Sequence, residues 1–158
     1  MLDDLRDLYQ EVILDHGKNP RNFGHAAGAN REAKGENPMC GDKFVVSLKL
    51  NDAGIVEDCA FMGKGCAIST ASASMMTEIV KGRTADQAHA LFTAFHDLCT
   101  KEDDEQAPHP SVDEDDMERL MVMAGVRQFP VRVKCATLAW HAMRAALDGA
   151  DSATSDVY

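Results

Sequence analysis

Three of the five cysteines stand where a chain can hold a thiol near its surface. Cys40 precedes a β-prone run, Cys66 lies between a glycine turn and a helical stretch, and Cys135 comes early in a final helical stretch. Asp42 follows Cys40 across Gly41. Soft thiolates with one carboxylate suit tetrahedral zinc, and a helix N-terminus lowers a thiol's pKa toward the metal-binding form. None of the cysteines forms a CxxC pair, so spacing alone leaves two readings open: a metal centre, or scattered cysteines packed as small hydrophobes. Cys59 falls inside a strand and Cys99 closes the apolar face of a helix, so both are expected in the core. The cysteine count is odd, and MLDDLRDLYQ carries acids where a secretory signal would carry a basic region. Reduced thiols in a cytoplasmic protein are therefore expected rather than a disulfide framework.

The elements that must position these thiols follow from periodicity. Leu5, Leu8, Val12 and Ile13 keep helical spacing up to His16–Gly17, with Asn19–Pro20 beyond. Residues 17–42 are glycine-rich, contain Pro20 and Pro38, and read as a long irregular connection, a kind that usually has a function. Phe44, Val46, Leu48 and Leu50 alternate with Val45, Ser47 and Lys49, and Ile55–Met62 forms a second β-prone run, so a hairpin is expected. Pairing Leu50 with Ile55 sets Cys59 level with Val46 and brings Cys40 and Cys66 to the same open end. Beyond Gly63-Lys64-Gly65 a helix is expected over about 68–81. Thr84 with Gln87, and Ser111 with Glu114, read as capping boxes of two more helices, the second ending near Gly125. Pro130 opens the last helix, with Cys135, Leu138, Ala142 and Ala146 on one face. The small polar tail beyond Gly149 is expected to fray.

The chain has 158 residues, of which 26 are acidic and 16 are Lys or Arg, a net charge of −10. One domain with a real core is expected at this length. The longest apolar run, 120–126, is far too short to span a membrane. Net negative charge argues against nucleic acid, whose binding needs Lys and Arg. Most of the charge is local: residues 101–118 hold nine acids and one base, −8 of the −10. A partner steered by this insert would present a basic face.

The stretches LYQEVILDHGKNPRNFG, ENPMCGD, FMGKGCAISTASASMMTE and RVKCATLAW resemble the U-type iron–sulfur cluster assembly family over most of residues 8–140. The resemblance implies a SufE/NifU-like α+β fold, a small antiparallel sheet of three strands against about five helices. The third strand would fall within the 22–36 connection. The domain would cover 1–149, with 150–158 a flexible tail. It also implies that Cys40, Asp42, Cys66 and Cys135 bind metal.

Two features resemble the zinc-dependent sulfur-acceptor branch, SufU, more than the Isc-type scaffold. Lys134 stands where scaffolds carry a histidine, and the Cys66-to-Cys135 interval is lengthened around the acidic stretch. A protonated lysine has no free lone pair and is a poor ligand. The scaffold's LPPVK chaperone motif has no clear copy, Phe129–Lys134 being a loose echo. This branch implies Zn2+ as cofactor. The implied donor is a SufS-type pyridoxal-phosphate cysteine desulfurase, with Cys40 as the persulfide acceptor and a SufBCD-type complex downstream. On this reading the protein is sulfurtransferase-like and stimulates the desulfurase. The alternative is a scaffold holding a [2Fe–2S] cluster on the same ligands, since thiolates serve both metals. Three thiolates, a carboxylate and zinc leave about −2 at the site. Arg132 and Lys134 are placed to offset it, Arg132 also to dock the donor.

The remaining polar residues read as structural. His16 is expected to meet its helix end, and His25, His89, His96, His109 and His141 to lie at the surface. Met75, Met76, Met117, Met121 and Met143 are expected in the core, and Ser69, Ser72 and Ser74 in helix packing and capping.

Overall fold

The computed structural model describes residues 2–38, 41–101, 109–123, 126, 130–150 and 152–154. Helix α1 (Leu2–Lys18) is followed by strands β1 (Arg31–Asn37), β2 (Asp42–Leu50) and β3 (Val56–Lys64). Helices α2 (Ala67–Val80), α3 (Ala85–Thr100), α4 (Glu114–Met121) and α5 (Pro130–Leu147) follow, and a short β4 (Ser152–Thr154) closes the chain. This is the expected α+β arrangement of three antiparallel strands and five helices. The long connection is less irregular than its composition suggests, since it contains β1. The expected fraying tail contributes β4, which lies parallel to β1 and extends the sheet to the order β3-β2-β1-β4. No helix among the described residues is long and apolar enough to cross a membrane.

Period-two burial defines an inner sheet face of Ala33, Gly35, Asn37, Phe44, Val46, Leu48, Cys59 and Phe61. Helices α2 and α5 pack on it. Gly35 is what lets α5 close on β1: a Cβ there would lie 3.2 Å from Ala142 Cβ and 3.3 Å from Leu138 Cδ1. A strand glycine costs about 0.5–1 kcal/mol. Burying a leucine such as Leu138 contributes roughly 1.5–3 kcal/mol, so the close approach wins. Trp140 stacks on Phe95 and ties α5 to α3.

The hairpin register differs from the simple expectation. Leu48, not Val46, faces Cys59, and Val46 faces Phe61. The cause lies at the turn: Asn51 Oδ1 accepts from the backbone N–H of Ala53 and Ile55, and Asn51 N–H donates to the Ile55 carbonyl. That side-chain turn pairs Ile55 with Asn51 instead of Leu50, and the offset is taken up by an irregularity at Lys49/Leu50. The first capping box forms as read, between Thr84 and Gln87. The second does not: Asp113 is the N-cap of α4, accepting from Asp116 N–H, because a carboxylate two residues nearer the helix outcompetes Ser111. Helix α4 stops at Met121, and Gly125 lies outside the described residues. Buried Asp116 accepts from Arg83 at 2.8 and 2.9 Å, which fastens α4 to the α2–α3 turn.

Cys59, Cys99, Met75, Met76 and Met143 are buried as expected, whereas Met121 is 45% exposed. Histidines were misjudged more. His16 is buried and bonded through Nδ1 to Ser74 Oγ at 2.7 Å, not to its helix end. His141 is also buried, edge-on to Phe92 and His96. Burial foremost, then Arg144 and His96, push its pKa down to about 4 from 6.5. A base depressed in the fold stays neutral while its unfolded counterpart protonates, so stability is lost as pH falls from about 6.5 to about 4. Replacing His141 with Phe is expected to flatten denaturation midpoints across that window relative to the parent; an unchanged pH slope would contradict this.

Candidate metal centre

The centre lies where the sheet ends and two helices begin. Asn37 and Asp42 are register partners, and Gly41 N–H donates to the Asn37 carbonyl at 2.8 Å, so the chain reverses tightly between β1 and β2. Met39 and Cys40, between Asn37 and Gly41 in sequence, are outside the described residues. Asp42, the first residue of β2, points inward and is 2% exposed. Its Oδ1 accepts the Cys66 backbone N–H at 3.0 Å, joining the start of β2 to the approach to α2.

That approach requires glycine. Gly63 has φ +137°, and a Cβ there would sit 2.1 Å from the Lys43 carbonyl oxygen. A Cβ on Gly65 would sit 2.4 Å from Ser69 Oγ and 2.6 Å from the Phe44 ring. Cys66 is thereby set as the N-cap of α2, with extended backbone and Sγ accepting from Ser69 N–H at 3.4 Å. The Ser69 hydroxyl also lies 3.4 Å from that sulfur. Burial raises the Cys66 pKa, but the Ser69 hydroxyl, the Ser69 N–H and the Cys135 thiol together outweigh burial and the Asp42 charge, and the net shift is downward.

Cys135 arrives from the other side on α5 and is fully buried. Ser72 pins this turn of α5 to α2, donating to the Ala136 carbonyl at 2.5 Å and accepting from Trp140 Nε1 at 3.2 Å. Asn37 Nδ2 donates to Cys135 Sγ at 3.9 Å. The ligand atoms of Asp42, Cys66 and Cys135 all lie within 4.8 Å of one another.

These three residues fit a metal. Asp42 Oδ2 is buried with no hydrogen-bond partner among the described residues, an arrangement that costs free energy unless something else meets the oxygen. Two thiols and a spare carboxylate oxygen at this separation are a borderline-soft donor set of the kind zinc takes. Arg132 is exposed and Lys134 half-buried on the first turns of α5. Sequence reading missed Asn37 and the grip of Ser69 on Cys66. Asn37 carried no periodic signal, but Ser69 stands three residues after Cys66, the spacing at which an N-cap side chain meets a backbone N–H.

An α+β sheet-and-helix fold with an Asp–Cys–Cys cluster at the sheet end defines an iron–sulfur assembly domain of the NifU type. The NifU-like N-terminal domain matches residues 8–136, and the chain belongs to that family. The zinc-dependent sulfurtransferase SufU of Bacillus subtilis (strain 168) is 45% identical over 140 residues, 88% of each chain. The scaffold protein IscU of Streptococcus pyogenes serotype M1 is 38% identical over 92% of this chain and 86% of its own. Among solved structures, a NifU-like N-terminal domain from Brucella abortus superposes with a TM-score of 0.76 at 28% identity, over 90% of this chain and 94% of that one. A SufU from Fervidobacterium islandicum AW-1, named as a candidate scaffold of the SUF system, gives 0.75 at 28% identity, over 87% and 94%.

The thiols should differ sharply in reactivity. Burial, with a smaller push from Asp58, raises the Cys59 pKa to about 12, leaving roughly one part in ten thousand as thiolate at pH 8. In metal-free protein, mass spectrometry after iodoacetamide treatment is expected to show Cys66 labelled well before Cys59, and Ser69→Ala to slow Cys66. Equal labelling of the two would contradict the geometry.

Proposed function

We propose that this protein is a zinc-dependent sulfur acceptor for iron–sulfur cluster assembly, with Cys40 taking persulfide sulfur from a SufS-type cysteine desulfurase. The observation that carries the reading is the convergence of Asp42, Cys66 and Cys135 with a spare, buried carboxylate oxygen. Two peptide units separate Cys40 from Asp42, so chain connectivity keeps its Cα within about 7 Å of Asp42's and within reach of the same centre. Asp42, Cys66 and Cys135 would hold zinc together with Cys40, and the ion when bound would favour the thiolate forms of its sulfur ligands.

Transfer needs an attacking thiolate. The Cys40 sulfur attacks the outer sulfur of the donor's persulfide, the donor's S–S bond breaks, and its electron pair leaves with the donor thiolate. A new S–S bond then stands on Cys40, and no net oxidation occurs. The loaded sulfur would pass onward to an assembly complex of SufBCD type. Arg132, three residues before Cys135 and so on a neighbouring helical position, would dock the donor, while Lys134 offsets the negative centre.

Metal analysis of the purified protein together with desulfurase turnover tests the reading. Stoichiometric zinc and a large rise in turnover are expected; a stable visible cluster passed to an apo-acceptor would establish a scaffold instead. Cys40→Ser is expected to abolish persulfide on this protein, and normal sulfur loading would overturn the assignment. Arg132→Ala is expected to weaken desulfurase stimulation with zinc content unchanged, whereas zinc loss would make its role structural.

A further inference from the structure

The outer face of the sheet treats lysine differently at its two ends. Toward the hairpin turn, Lys49 pairs with Glu57 at 3.2 Å and Lys81 with Asp58 at 3.3 Å. At the opposite end, where β1 turns into β2 and β3 runs on to Cys66, Lys34, Lys43 and Lys64 are exposed. Among the described residues none of these three is held in an ion pair, in contrast to Lys49, Lys81 and Lys101. Lys43 and Lys64 face each other directly across β2 and β3. Like charges so placed destabilise a sheet, so local stability does not account for them.

Their neighbours complete the patch. Glu36 faces Lys43 in the same row, and in the next row Lys34, Val45 and Met62 stand side by side. Met62 is 42% exposed and Val45 partly so. Three ammonium groups and one carboxylate therefore surround a small apolar spot, in a chain whose net charge is −10. Lys43 adjoins Asp42 and Lys64 lies two residues before Cys66, although both point away from the inner face that Asp42 occupies. A protein covering these lysines lies at the end of the sheet where β2 begins with Asp42 and β3 leads to Cys66.

We propose that this lysine-rimmed end of the sheet is where the sulfur donor docks, and that the donor's matching surface is acidic. The proposal rests on the sulfur-acceptor reading. An apolar middle with a charged rim is the anatomy of a specific interface. The sense of the charge adds orientation: an acidic surface is repelled by the acidic 101–118 stretch and admitted at the sheet end next to Asp42 and Cys66.

The test measures association of the zinc-loaded protein with its cognate cysteine desulfurase from low to high salt. Lys43→Glu with Lys64→Glu is expected to slow association at low salt roughly tenfold and to flatten the salt dependence, with zinc content and circular dichroism unchanged. Lys43→Gln with Lys64→Gln should give a smaller effect of the same sign and serves if the reversal disturbs the strands. Lys49→Glu with Lys81→Glu changes net charge equally at the far end and should slow association much less. An equal loss in that control would mean bulk charge acts, an unchanged rate in the first pair would remove the lysines from the interface, and zinc loss would assign them to the centre; each overturns the proposal. So would an effect confined to self-association in sedimentation. If the unsubstituted protein neither binds nor stimulates the desulfurase, it is the sulfur-acceptor reading itself that falls.

Discussion

The hydrogen bond from Cys66 N–H to Asp42 Oδ1 divides one carboxylate between architecture and chemistry. One oxygen fixes the start of β2 against the last residue before α2, two points 24 positions apart in sequence. The other oxygen is left buried and without a partner. Because the first bond sets the direction of the carboxylate, the second oxygen cannot turn away from Cys66 and Cys135 without breaking the joint. The donor set is thus preorganised by the same contact that closes the fold, and the penalty of an unsatisfied buried oxygen is held in reserve for a ligand.

The surroundings of the sulfurs follow from this joint. Ser69 steadies Cys66 from the first turn of α2, and Asn37 reaches Cys135 from the end of β1. Ser72, buried between α2 and α5, fixes how far Cys135 stands from Cys66. All these partners are neutral. They offer hydrogen bonds to sulfur without adding charge to a centre that already concentrates anions, which leaves cations at the rim to do the balancing.

How far the molecule was legible depended on whether a feature was periodic or singular. Helices α1, α2, α3 and α5 announce themselves by apolar spacing, and the hairpin by alternation, so the elements carrying Asp42, Cys66 and Cys135 could be placed from sequence. Strand β1, REAKGEN, has only Ala33 as an apolar residue on its inner face and borrows its burial from α5, so nothing local marks it. The hairpin register depended on one side-chain turn at Asn51, a choice made by hydrogen bonding and invisible to hydrophobic pattern. His141 packs like an aromatic ring against Phe92, and His16 reaches Ser74 58 residues away, so in both cases only the neighbours reveal the burial. Net charge is a sum dominated by residues 101–118, and it says nothing of the lysines clustered at one end of the sheet.

The short β4 has a wider consequence than its three residues suggest. It lies along β1 on one side of the sheet, while on the other side residues 22 and 24 hydrogen-bond to Phe61, and Gly82 and Arg83 to Val56. Both borders of the sheet are thereby blunted, so an incoming chain finds no long row of free backbone groups to extend by strand addition. Recognition is left to side chains on the face and at the end, where a single charge can alter selectivity without touching the backbone frame that holds the sulfurs.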